Sequence, residues 1–301
     1  MMRVATFAQS DQMISNALRV QAVMANEQVQ ESSGLQSEDF GGYGSGAGRV
    51  INLQVSVTRA QSYIDASQLA DNKVQVMYSA VGSVTDIITQ LRTQLSAATT
   101  GSSTATASVI NYAQQAMAQM QGLLNTQYDG EYVFSGARTD TAPADLSSFG
   151  TGTGSLTTSD TSYYKGDSEI ASVRVSDSQS ISYGITADNP AFEQVMRLLK
   201  FVGNNSNLSS SDVSQALDLA SNALDATSTV QAKLSTAASQ IETASTNQSD
   251  YQNFAKTLST DLTSVDVAAV TAQLSTYQAQ LTASYSAISK IQSMNLASYL
   301  R

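Results

Sequence analysis

Residues 270–291 read VTAQLSTYQAQLTASYSAISKI. The large apolar side chains in this stretch are Val270, Leu274, Tyr277, Leu281, Tyr285, Ile288 and Ile291. Every step between them is three or four residues, which places them on one face of an α-helix as a coiled-coil-like seam. Leu296 and Leu300 extend the apolar set toward Arg301. No glycine or proline occurs after Gly203, so residues 204–301 read as long helix. Unbroken, those 98 residues would run for ~147 Å. A break is expected at 246–249 or at 263–266. A single amphipathic helix of this kind frays in water, so its stripe must lie against something. The N-terminal helix and neighbouring subunits are the candidates.

Working toward the N-terminus, the same period recurs. Met77, Val81, Val84, Ile88, Leu91 and Leu95 form a clean stripe, preceded by a shorter one of Leu53, Val57, Ala60 and Ile64. Residues 105–126 carry Ile110, Ala113, Met117, Met120 and Leu124. Met13, Ala17, Val20 and Met24 step by four, three and four. Gly-rich residues 41–48 and the run 99–103 separate these helices. The polar helix positions are mainly Gln, Ser, Thr and Asn, beside Ala, rather than Lys and Glu. Few charges and small side chains suit helices with many neighbours.

The middle has another period. Short alternating runs at 131–134, 162–165, 171–175 and 180–185, bounded by Gly, Asp, Ser and Thr, predict strands and turns. Ser178 and Gln179 are placed for a hairpin tip, and 139–162 reads as a surface excursion. The expected architecture is mainly α with a β-rich insert.

Composition narrows the function. The 301 residues contain no Cys, no His and no Trp. Thiol chemistry, disulfides, Cys/His zinc sites and His-based triads are therefore excluded, and no enzymatic role, cofactor or metal is expected. The 25 acids outnumber the 15 bases, for a net charge of −10. That leaves no basic face for nucleic acid. No apolar run reaches the ~20 residues of a membrane helix, and the N-terminus lacks the apolar core of a cleaved signal peptide.

Four patterns have a chemical reading beside a plain one. Residues 42–47, GYGSGA, fit a dinucleotide-binding string, but a polar loop precedes them where that motif needs a strand. Asp261 and Asp266 could work as an acid–base pair. Helix termination and restart, with Ser264 as a possible cap, explains them better. Asp140, Asp145 and Asp160 could attract calcium but lack EF-hand spacing. The 13 tyrosines could form a carbohydrate platform. Tyr277 and Tyr285 already belong to the seam, and Tyr163 and Tyr164 remain open.

Helical ends around a β-rich middle, without Cys, resemble bacterial flagellin and its relatives. Residues 30–34, QESSG, look like the LSSG that closes that family's first helix. Residues 129–140, DGEYVFSGARTD, are similar to the DGRYLFAGTKTD type of segment in hook–filament junction proteins. YKGD at 164–167, with the following VRV at 173–175, resembles the next stretch of those proteins. The apolar ending at 289–301 also agrees, whereas the Gly-rich 41–48 departs from the Asp-containing run usual there.

The resemblance implies an extracellular axial subunit of the flagellum, exported through the flagellar type III channel without signal cleavage. Residues 1–40 and 256–301 would form an inner coiled-coil layer. Residues 41–129 and 191–255 would form a surrounding bundle, and 130–190 an outer region. Copies of the same chain, the adjacent hook-associated protein, flagellin and an export chaperone are the implied partners. The assembly interface is expected at Met13, Ala17, Val20, Met24, Val270, Leu274, Tyr277, Leu281, Tyr285, Ile288, Ile291, Leu296 and Leu300. A short filament-forming flagellin is the alternative. More distant is a secreted helical translocator, which would need a more hydrophobic hairpin than any present.

Overall fold

The structure is a computed structural model that describes residues 2–99, 102–147, 149 and 152–293. Six helices carry the chain: α1 (Met2–Ser33), α2 (Ala47–Ala98), α3 (Ser103–Leu124), α4 (Pro190–Asn204), α5 (Ser210–Thr263) and α6 (Val267–Ser293). The strands are β1 (Gln127–Tyr128), β2 (Glu131–Tyr132), β3 (Ser172–Arg174) and β4 (Ser180–Ser182). The helix break falls at 264–266, and 246–249 stays helical. The chain divides into two units, Met1–Arg59 with Gln252–Arg301, and Ala60–Tyr251.

In the Ala60–Tyr251 unit, all six residues of the Met77-to-Leu95 stripe are buried to 1% exposure or less. On α3 the buried line is Val109, Ala113, Ala116, Met120 and Leu124. Ile110 and Met117, read from sequence as part of that line, are only half-buried. Asn189 caps α4, accepting from the Ala191 amide at 3.0 Å, and Pro190 occupies the first turn, where a missing N–H costs nothing. Helix α4 is buried on most sides, from Ala191 to Gly203.

The strands are shorter than the alternating runs suggest. β1 pairs with β2, and β3 with β4, as two antiparallel hairpins. Residues 162–165 contribute one isolated bridge, Ala144 to Tyr164, because Tyr163 is drawn into the core. It is fully buried, donates its hydroxyl to Ala187 O at 2.7 Å and meets Phe149 edge-on at 5.1 Å. Burial, then the nearby Glu193, Asp188 and Asp160 carboxylates, push its pKa up and keep the phenol neutral.

The 139–162 excursion is likewise fastened rather than free. Lys200 Nζ lies 2.8 Å from Asp160 Oδ2 and 4.4 Å from the Phe149 ring centroid. The Asp160 amide donates to Glu193 Oε1 at 2.9 Å, and Asn204 Nδ2 donates to Gly152 O at 2.8 Å. Burial by itself would raise the Asp160 pKa, but hydrogen bonds from Lys200 and Ser162 bring it down to about 2. A depressed carboxylate stabilises the fold above its unfolded pKa and loses that contribution as pH falls through the folded value. Asp160→Asn is therefore expected to lower stability at neutral pH by about 1–2 kcal/mol, held down by screening at a one-third-exposed site. The deficit should shrink between about pH 4 and pH 2, measured by urea unfolding.

Candidate assembly interface

In the unit of Met1–Arg59 and Gln252–Arg301, α1 packs along α6. Gly34 ends α1 with φ +68, its amide returning to Gln30 O at 2.8 Å, a left-handed cap that glycine adopts without strain. The segment after α1 and the segment after α5 are clasped together. Gln36 N–H donates to Thr263 O at 2.7 Å and Val265 N–H to Gly34 O at 3.0 Å, flanking an antiparallel bridge of Leu35 and Ser264. Asp266 then caps α6, accepting from Ala268 and Ala269 amides at 3.0 and 3.3 Å. The cap is thus Asp266 rather than Ser264, while Asp261 lies within the last turn of α5.

From this clasp the two helices run in opposite directions. Thr271 Oγ1 is 2.8 Å from Glu31 Oε1. Counting in step at equal rise from this pair brings Val20 within one residue of the level of Leu281, and Met13 within one residue of Ile288. Ala17 is buried, and Met13, Val20 and Met24 are half-buried. Across from them Val270, Leu274 and Leu281 are buried, while Tyr277, Ile288 and Ile291 are half-buried. Tyr285 lies off this line, 51% exposed, and the half-buried Ser284 occupies the seam position. Leu296 and Leu300 lie outside the described residues. The two terminal stripes thus cover each other within one chain.

What they do not cover is a second stripe. Ile14, Leu18, Ala22, Ala25 and Val29, spaced four, four, three and four, occupy the opposite side of α1 and are exposed. The spacing of this line is as regular as that of Met13, Ala17, Val20 and Met24. Elsewhere in the unit Ile51, Val55 and Phe254 are exposed. Charge is partitioned too. This unit has seven bases and seven acids, whereas Ala60–Tyr251 has eight bases and eighteen acids and so carries the whole net −10.

The other candidate sites resolve into structure. Residues 42–47 lie in a 3-10 turn (Phe40–Gly46) and the start of α2, with no strand ahead of them, and Tyr43 donates its hydroxyl to Ser37 O at 2.5 Å. Asp145 accepts from the amide and hydroxyl of Ser147, which lower its pKa. Asp140 accepts from the Thr141 hydroxyl. Among the described residues no three His, Cys, Asp or Glu are grouped to hold a metal, and no helix is long and apolar enough to cross a membrane.

The two segments that resemble junction proteins meet in space. Asp129 and Gly130, with φ of 52° and 79°, form the two-residue turn of the β1–β2 hairpin, the conformation whose twist matches the paired strands. Beyond it, Ala137 N–H donates to Asp167 Oδ1 at 2.9 Å and Asp167 N–H to Ser135 O at 3.1 Å. Gly136 has φ +77, and a Cβ there would stand 2.2 Å from Asp167 Oδ1. A Cβ on Gly166 would stand 2.4 Å from Ser135 O. Both glycines are thus required for the chains to approach. Tyr164 adds its hydroxyl bond to Asp167 O at 2.5 Å. That bond, like the burial of Tyr163, removes the pair from any carbohydrate platform.

The pattern of the bacterial flagellin N-terminal helical region matches residues 4–139, and that of the C-terminal helical region matches residues 217–300. The chain belongs to the bacterial flagellin family. As a member of that family it is a structural component of the flagellum. Among solved structures, a protein of Vibrio parahaemolyticus described as flagellar hook-associated is similar at TM-score 0.61 and 16% identity. The match covers 75% of this chain and 99% of that one. Bacillus cereus FlgL is similar at TM-score 0.56 and 17% identity, over 70% of this flagellin-family chain and 98% of its own. At these identities the likeness is one of fold. No curated protein matches.

Proposed function

We propose that this flagellin-family chain is a hook–filament junction adaptor rather than the filament subunit. The observation that carries the reading is the clasp between residues 135–137 and 166–167. Both of its halves come from segments that resemble junction proteins, and each glycine in it has a steric reason to be there. The fold similarity to FlgL is consistent with it.

In this role the chain leaves the cell through the flagellar type III apparatus, unfolded or loosely folded. A chaperone shields the C-terminal stripe until export. At the hook tip, residues 1–40 and 256–301 form the inner layer with neighbouring copies, the adjacent hook-associated protein and flagellin. Residues 41–129 and 191–255 surround it, and 130–190 face outward. The α1–α6 pair is one seam wide, and such pairs are marginal alone, so these helices reach full order on assembly.

Deletion of the gene tests the assignment. The mutant is expected to build hooks and to release flagellin monomers into the medium, and the purified protein is expected not to polymerise into long filaments. Filaments grown from the purified protein alone would instead identify a short flagellin.

A further inference from the structure

We propose that the cleft between the open edge of β4 and α5 binds an extended peptide segment of another protein, added as a third strand with one carboxylate opposite Lys233. The proposal does not rest on the junction assignment.

The hydrogen-bond register leaves that edge open. Tyr183 N–H donates to Ala171 O at 2.9 Å and Val175 N–H to Gln179 O at 3.0 Å. These bonds make Ser172–Ser182 and Arg174–Ser180 the non-hydrogen-bonded pairs of the ladder. The N–H and C=O groups of Ser180 and Ser182 therefore point away from β3, and both residues are exposed. Charge or proline normally blunts a strand edge. β4 reads SIS and has neither.

The edge is also held in place. Tyr63 donates its hydroxyl to Asp177 Oδ1 at 2.8 Å, and Gln248 Nε2 donates to Val175 O at 3.1 Å. Helices α2 and α5 thus both fix the end of the hairpin. A preset edge lowers the ordering cost of binding.

Ser182 also lines a cleft of about 440 Å³, shared with Tyr183, Gly184, Ile185 and α5. The base of the cleft is apolar, since Tyr183, Ile185, Leu234 and Ala237 are 9% exposed or less. On α5 the lining runs from Thr229 to Gln240, a length of ~16 Å. Five residues of extended chain span the same distance at ~3.3 Å each. Such a segment pairs its backbone with Ser180 and Ser182 and turns alternate side chains onto the apolar base, as in strand addition.

Lys233 sets the charge of the occupant. Among the described residues that line the cleft it alone is charged. Lys73, Arg197 and Lys200 each have a carboxylate partner, whereas Lys233 has none among the described residues. One carboxylate on the occupant completes that pair. The net −10 of the Ala60–Tyr251 unit repels further acids. The favoured segment is thus about five residues long, with alternate apolar side chains and a single acid.

An array of five-residue peptides built from valine, threonine, glutamate and lysine, read with the labelled full-length chain, tests this. Peptides that alternate valine with threonine and carry one glutamate are expected to bind. Their lysine counterparts should bind about tenfold more weakly, and Lys233→Glu should reverse that preference. Methylating alternate backbone nitrogens of the peptide should abolish binding in one register and spare it in the other, because only one edge of a strand faces β4. Ser182→Pro removes an outward N–H that the hairpin does not use. Binding should then weaken about three- to tenfold at unchanged Tm. The N-methyl series leaves the protein untouched, so it decides even where Ser182→Pro unfolds. Binding indifferent to both methylation registers would overturn the proposal. So would capture of no peptide, or a preference unchanged in Lys233→Glu. Glycans, or tiled peptides of this chain's own sequence, that displace the array peptides would assign another occupant and overturn it too.

Discussion

A chain shortened to residues 1–263 is expected to vanish from the flagellum while its Ala60–Tyr251 unit melts as before. The core cluster of that unit runs from Ala70 to Ala244 without a residue from either terminus, so losing α6 removes nothing from it. α1 is another matter. Its inner stripe of Met13, Ala17, Val20 and Met24 loses its cover, and the clasp of Gln36 and Val265 is gone. An uncovered amphipathic helix frays, and incorporation should fall below detection on immunoblots of sheared flagella. Leu281→Asp is the milder form. It puts a carboxylate into a position 7% exposed within one residue of the level of Val20, at a cost of about 3–5 kcal/mol, more than a two-helix pair can absorb. Normal docking of either variant would refute the assignment of the terminal helices as the assembly interface.

The helices were legible because their chemistry is local. A stripe of threes and fours needs only its own residues to announce a buried face, so Met77 through Leu95 and Val270 through Leu281 could be read directly. The break before α6 was readable as well, but its cap was not: Ser264 was expected there, and the Asp266 carboxylate, two residues on, holds the Ala268 and Ala269 amides. Tyr285 shows where this stops. It keeps steps of three and four, but the covered seam runs 270, 274, 277, 281, 284, 288 and 291, a strict seven-residue repeat that takes Ser284 and leaves Tyr285 beside the line.

Long-range pairings left no local trace. Phe149 sits alone among Ser, Thr and Gly, and its anchoring depends on Lys200, some fifty residues on. The clasp of Gly136 with Asp167 joins segments about thirty residues apart. Resemblance to known proteins marked both segments but could not say that they touch. The outer stripe of α1 was in plain view and was hidden by the first: once a helix has one apolar face assigned, a second reads as scatter. Its exposure in the folded chain is what separates it.

The clasp can be tested by two glycines that differ in one respect. Gly130 and Gly136 both have φ near +78, so an alanine at either one loses about 1–2 kcal/mol to backbone strain. At Gly130 the added Cβ meets nothing within 4 Å, and the loss should end there. At Gly136 it would stand 2.2 Å from Asp167 Oδ1 and 2.7 Å from the backbone Asp167 O. The carboxylate must swing away from the Ala137 amide and the two segments must part, raising the cost to about 3–5 kcal/mol. For a unit of this size that corresponds to a Tm drop of about 8–15 °C for Gly136→Ala, against about 3–6 °C for Gly130→Ala. Equal drops would mean that the clasp is not closed in solution. The unequal pair would show that residues 129–140 and 164–167 act as one built feature, the condition on which the junction assignment depends. Gly136→Ala flagella should then shed filaments under shear while the variant itself is still incorporated, because the clasp and the terminal helices belong to different units.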